Sequence, residues 1–130
     1  MPEPATGYRV LVTGSRDWDN LALLSFLIGV AIGESGRPKA EVVIVHGACP
    51  TGADTMAEQT AVTSDVMTEP HPADWDRHDK AAGPIRNQEM VDLGADICLA
   101  FFKVGAGNRG TANCAASAER AGIPVRRILG

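Results

Sequence analysis

A chain of 130 residues, 45% hydrophobic and 22% charged, has the length of one domain and the composition of a soluble globular fold. Its formal net charge of −4 disfavours non-specific duplex nucleic-acid binding, which needs a broad basic surface, while leaving room for a local positive pocket. Three cysteines (Cys49, Cys98 and Cys114) without framework spacing argue against a disulfide scaffold and for a cytoplasmic setting, and no apolar run approaches the ~18 residues of a membrane span.

Met1 to Gly7 is short, Pro-rich and acidic, unlike a signal peptide, and is expected to be flexible. Tyr8 to Thr13 reads as a first strand that stops at Gly14. Asp17, Asp19 and Asn20 are cap residues for a helix in which Leu21, Leu24, Leu27, Ile28, Ala31 and Ile32 recur at helical spacing. Gly33, Gly36 and Pro38 end it. Glu41 to Val45 is a second strand, apolar without alternation after Glu41, as in a parallel sheet covered on both faces. Thr51 is placed to cap the next helix, with Asp54 as its capping-box acid.

Asp65 to Pro70 is a weaker strand, and its Pro70 suggests an edge position. His71 to Ala82 reads as a long polar loop, of a length that is usually functional or disordered. Gly83-Pro84 opens a third helix with proline at its first position, ended by Gly94. Ile97 to Phe102 is a buried strand, Thr111 to Ala121 an alanine-rich helix, and Ile123 to Ile128 a last, edge-like strand. No repeat or linker divides the chain, so residues 1–130 are expected to form one domain.

The order βαβαβαβαβ predicts an α/β, Rossmann-like three-layer αβα sandwich around a mostly parallel five-stranded sheet. Every strand-to-helix turn then lies at the carboxyl edge of the sheet, where open α/β folds bind ligands. That step gathers Gly14-Ser15-Arg16, His46-Gly47-Ala48, Gly83-Pro84-Ile85-Arg86-Asn87 and Asn108-Arg109-Gly110-Thr111 into one candidate site. Glycine-rich turns that open helices leave free N–H groups suited to phosphate. Arg86, about third in its helix, and Arg109, just before its own, oppose the helix dipole by ~0.3–1 kcal/mol. Arginines so placed suggest an anionic ligand. The competing account pairs each with a nearby acid, among Asp17, Asp54, Asp74, Asp76 and Asp79.

Gly47 to Gly52 has P-loop glycine spacing but is followed by Ala53-Asp54 rather than Lys-Ser/Thr, and Gly14-Ser15-Arg16 lacks the later glycines of a dinucleotide fingerprint. Neither a Walker nucleotidase nor an NAD site is expected, and no cofactor is. Asp54 can hold ribose hydroxyls or stabilise its own helix start. Trp75 can stack on a base or anchor its loop, whereas Trp18 suits packing. His46, Cys49, His71, His78 and Cys98 lack paired ligand spacing, so no metal is expected. Cys114, near a helix start, suits a nucleophile or a buried inert thiol.

These segments together resemble a YspA-type member of the YpsA-related SLOG superfamily. The residues that carry the resemblance are Val10 to Arg16, Val45 to Asp54, Pro72 to Trp75, Ala82 to Met90 and Arg109 to Asn113. Relatives include the LOG phosphoribohydrolases and the DNA-processing protein DprA. The resemblance implies a domain that senses or processes a nucleotide-derived ligand, and relatives that form dimers. Arg86 and Met90 match the LOG Arg-Lys-x-x-Met helix start, and Gly107 to Thr111 match the Pro-Gly-Gly-x-Gly-Thr turn in part. The catalytic glutamate of that pattern falls on Cys114, with Glu89 a possible substitute. The expected function is therefore a nucleotide-binding sensor module. The alternatives are a phosphoribohydrolase-type enzyme using Arg86 and Glu89, and a weaker single-stranded nucleic-acid binder. Leu21 to Ile32 is apolar enough around its circumference to meet a second copy, so a homo-oligomer is expected.

Overall fold

The structure, a computed structural model, describes residues 7–130. Residues 1–6, most of the segment expected to be flexible, lie outside the described residues. Gly7 sits tight against Glu41, where a Cβ would lie 2.3 Å from the Glu41 carbonyl oxygen.

Five strands, β1 (Tyr8–Gly14), β2 (Val42–His46), β3 (Met67–Pro70), β4 (Ile97–Phe102) and β5 (Val125–Leu129), form one sheet in the order β3-β2-β1-β4-β5. Every pairing is parallel. The helices are α1 (Leu21–Ser35), α2 (Ala53–Thr63), the single turn α3 (Trp75–His78), α4 (Ala82–Asp92) and α5 (Arg109–Arg120). Strand order reverses at β1, with β2 on one side and β4 on the other, and this switch point opens a crevice at the carboxyl edge.

The strands lack alternating polarity because both faces are covered. Val10 and Val12 pack with Leu24, Ile28, Ala57 and Ala61 of α1 and α2. Leu11, between them, packs with Met90, Cys114 and Ala118 of α4 and α5. Trp18 closes the first layer: it is buried, meets Phe101 edge-on at 5.2 Å between centroids, and donates its indole N–H to the Asn20 carbonyl at 3.0 Å. β3 and β5 are edges, as their mixed polarity predicts.

Several boundaries move. Asn20 caps α1, accepting from the Leu23 N–H at 3.0 Å, and Gly36 closes it in a left-handed conformation. The N-cap of α2 is Gly52, not Thr51, so no capping box forms. Residues 71–82 are not loop throughout: Asp74 caps α3, accepting from Arg77 N–H at 3.2 Å, and a 3₁₀ turn over Asp79–Ala81 leads into α4. Helix α4 thus begins at Ala82, which makes Pro84 its third residue and Arg86 its fifth.

Candidate functional site

A cavity of about 620 Å³ opens at the switch point. Its walls are the turns after β1, β2 and β4 together with the first turns of α4 and α5. Of the predicted residues, Gly14, Ser15, Arg16, Gly47, Asp54, Trp75, Arg86, Asn87, Asn108, Arg109, Gly110 and Thr111 line it. Sites scattered over almost a hundred residues of sequence thus meet in one place.

Two glycines set the close approach of the turns. Gly52 has φ +77°, and a Cβ there would fall 2.3 Å from the Ser15 carbonyl oxygen and 2.6 Å from Arg16 Cα. The Ala53 N–H donates to that Ser15 carbonyl at 3.1 Å, which ties the β1 turn onto the start of α2. At Gly47 a Cβ would meet the Arg86 guanidinium at 2.5–3.0 Å, so the missing side chain makes the space Arg86 fills.

Arg86 is 8% exposed. Its Nε donates to Asn87 Oδ1 at 2.9 Å, and its Nη1 to the Gly47 carbonyl and, at 3.3 Å, to the His71 carbonyl. Among the described residues it forms no ion pair, and neither do Arg16 and Arg109. Pairing with neighbouring acids, the competing account of these arginines, is therefore not realised. Arg16 instead lies over the Trp75 ring at 5.7 Å. The lining holds four cations (Arg16, Lys80, Arg86 and Arg109) against two carboxylates, Asp17 and Asp54. The cavity is a net positive patch in an acidic chain.

At the mouth of α5, Arg109 is the first helical residue rather than the one before the helix, and the N-cap Asn108 makes no side-chain cap bond. The first intrahelical bond at this end is Ala112 N–H to the Asn108 carbonyl at 2.9 Å, so the N–H groups of Arg109, Gly110 and Thr111 have no carbonyl partner in the preceding turn. The Asn108 side chain is spent on its own loop, accepting from Lys103 N–H and donating to the Lys103 and Ala106 carbonyls, all at 3.0 Å. Asn87 is likewise spent: its Nδ2 donates to the Gly110 carbonyl at 3.3 Å and to Asn113 Oδ1 at 3.1 Å, which fastens α4 to α5. The Ser15 hydroxyl oxygen accepts from Asp17 N–H at 3.1 Å, so its proton stays available to another acceptor.

Ala48, Ile85, His46 and Glu89 are predicted residues that the cavity lining leaves out. His46 lies off the cavity: its Nδ1 accepts from Ala48 N–H at 3.0 Å and its Nε2 bonds Glu58 Oε1 at 2.7 Å, so it shapes the turn. The Val42–His46 alternation points His46 toward α2, which sequence spacing left open. Glu89 is exposed and outside the lining. Cys114 is fully buried, and burial pushes its thiol up to about 11, against a smaller opposing effect of the Thr13 hydroxyl. It is the inert reading of this cysteine that the geometry favours. Cys49, at the cavity wall, is also raised, first by burial and then by the Asp54 carboxylate. Among the described residues no group of three or more His, Cys, Asp or Glu side chains is placed to hold a metal ion.

Sequence reasoning left Asp17, Cys49, Lys80, Met90, Gly107 and Asn113 out of the site that they line. Asn113 had a signal, since it follows Arg109 by four residues and shares its helix face. Lys80 had none until the α3 turn folded the 71–82 segment back.

The chain resembles known proteins at two levels. The family described as YspA, cpYpsA-related SLOG matches residues 8–78. The Gene 61 protein of Mycobacterium phage D29 is 43% identical over 123 residues, covering 90% of this chain and 93% of the phage protein. No solved structure matches. With the parallel sheet, the turn sequences at its carboxyl edge and this agreement along the chain, the protein belongs to the YspA, cpYpsA-related SLOG family.

Proposed function

We propose that the chain binds a nucleotide or nucleotide-derived anion in the switch-point cavity and acts as a binding or sensing module. The observation that carries this is Arg86: a guanidinium 8% exposed, on the cavity wall, with no carboxylate partner among the described residues. A buried charge is ordinarily paired, because desolvation costs several kcal/mol otherwise. An anion held between Arg86 and the free N–H groups of α5 supplies the missing partner. Trp75, 49% exposed at the rim, offers a flat surface for a base.

The hydrolase alternative draws less support. The LOG pattern needs a carboxylate where this chain has the buried Cys114 thiol, and Glu89 faces solvent away from the cavity. Binding without turnover is the reading we adopt. The test is thermal unfolding and titration of the whole chain with a panel of nucleoside phosphates, with chromatography for free base. A saturable upward shift without free base is expected, lost in Arg86→Ala. Free base released by the wild type and not by Arg86→Ala makes the protein an enzyme; no shift with any member removes the reading.

We also infer a homo-oligomer, supported by α1. From Leu21 to Gly33 this helix has no charged residue, and Phe26 is 65% exposed on its outer face. Gly29 and Gly33 lie on the same side, each costing ~1 kcal/mol relative to alanine, and a Cβ at either would meet nothing within 4 Å. Among the described residues nothing packs where those Cβ atoms would sit, whereas a second copy packing closely would use the space.

A further inference from the structure

The cavity contains two buried charges of opposite sign that do not pair with each other. Arg86 enters from α4. Asp54, 5% exposed, enters from the first turn of α2. The Asp54 Oδ2 accepts from Cys49 N–H at 3.2 Å, which pins the carboxylate to the β2 turn, and among the described residues Oδ1 accepts no hydrogen bond. Among the described residues no side-chain polar atom is both shut off from solvent and unbonded. The free Oδ1 therefore opens on the cavity, as does Nη2 of Arg86, which has no protein acceptor.

A bare anion satisfies Arg86 and the α5 N–H groups, but it shares the cavity with the Asp54 carboxylate, which repels it. A bare cation has the reverse problem with Arg86. A ligand that satisfies both carries an anionic group at one end and neutral hydrogen-bond donors within reach of it. The layout orders those parts. The turns after β2 and β4 flank β1, about two strand spacings (~9.5 Å) apart. That is wider than a phosphate ion. The flat surface lies at the rim, where Trp75 stands beside Arg16. In a nucleoside phosphate the piece between anion and base is the sugar, and its hydroxyls are the neutral donors that Asp54, in the cavity lining, lacks.

The geometry points to Asp54 as a reader of sugar hydroxyls, making the ligand class a ribose phosphate rather than a deoxyribose phosphate or a free polyanion. This rests on the anion-binding reading given above. Asp54 accepts from the 2′- and 3′-hydroxyls through Oδ1, while the Cys49 N–H holds Oδ2 in place. It takes part in no bond making. A lost hydroxyl removes one of two hydrogen bonds to a charged acceptor, which corresponds to a loss of about 10- to 100-fold in affinity.

The experiment is calorimetric titration of the whole chain with AMP, 2′-deoxy-AMP, 3′-deoxy-AMP, ribose 5-phosphate, 2-deoxyribose 5-phosphate and inorganic phosphate. Expected are AMP or ribose 5-phosphate tighter than the matching deoxy compound by at least tenfold, and inorganic phosphate weaker than either. In Asp54→Asn the gap between ribo and deoxy forms closes to within twofold. Equal binding of ribo and deoxy forms to the wild type, or an unchanged gap in Asp54→Asn, overturns the assignment. The wild-type comparison needs no variant, so it stands if Asp54→Asn fails to fold. If all six bind equally and Arg86→Ala abolishes them, anion binding survives and the role of Asp54 falls. If none binds, both fall.

Discussion

Two buried arginines have opposite situations. Arg9, 4% exposed on β1, has its guanidinium closed off by Glu69 at 2.9 and 2.6 Å and by the Gly94 carbonyl at 2.8 Å. Arg86 has carbonyls and an amide but no carboxylate. The first arrangement is structural and carries its own pH dependence. The Arg9 hydrogen bonds, aided by His71 Nε2 at 2.7 Å, hold the Glu69 carboxyl down at about 2 against an ordinary 4.5. A carboxyl depressed on folding adds stability that is complete above the unfolded value and is lost as pH falls toward the folded one. Roughly 2–3 kcal/mol should therefore disappear between pH 5 and pH 2. Glu69→Gln, which cannot titrate, should be several kcal/mol less stable at pH 7, because Arg9 is left buried without its partner. Its deficit should shrink by pH 3. Denaturant midpoints of both proteins at the two pH values measure this, and a constant deficit would contradict it.

At the scale of elements, the helix starts decide what the cavity offers. Helix α2 spends its first N–H on the Ser15 carbonyl, whereas α5 begins with no side-chain cap. Of these two helix starts, α5 is the one whose first N–H also has no partner among the described residues. Helix α1 faces away from that chemistry. Its exposed Phe26 and its uncharged length are the basis for expecting a second copy. Phe26→Glu should reduce the light-scattering mass to that of one chain while leaving the melting temperature of the isolated chain within a few degrees, since the ring is mostly outside the core. A wild-type mass already equal to one chain would end the proposal. An unchanged oligomer in the variant would move the interface elsewhere.

For the whole molecule, the distribution of charge matters more than its sum. The chain is acidic overall, and its unpaired cations Arg16, Lys80, Arg86 and Arg109 cluster around one recess, Arg86 buried in its wall and the other three exposed around it. A duplex presents its phosphates along a cylinder and cannot enter such a recess. Micromolar protein should therefore leave duplex DNA unshifted at physiological salt, while small nucleoside phosphates bind at one per chain. A salt-dependent gel shift would show a basic surface outside the cavity. No helix among the described residues is long and apolar enough to cross a membrane.

Chain-local chemistry determined a good deal here. Strand and helix order follows from uniform apolar runs such as Val42 to Val45 and from helical spacing in α1, because both periodicities are written along the chain. Right-handed parallel crossovers then place every strand-to-helix turn at one edge, which is why Arg16, Arg86 and the Asn108–Thr111 turn could be grouped before any coordinates. The turn chemistry of α2 and the fold-back at α3 depended on contacts between distant segments, as at Gly52 against Ser15, and did not show in local sequence. Which side chains keep free hydrogen-bonding groups at the cavity was decided by packing alone. His46 turns to Glu58, Asn87 and Asn108 are consumed by their neighbours, and Asp54 bonds the Cys49 amide instead of closing a cap. A polar side chain of either kind looks the same in one dimension, because what separates a clasp from a binding group is whether a partner from another element has already claimed its hydrogen bonds.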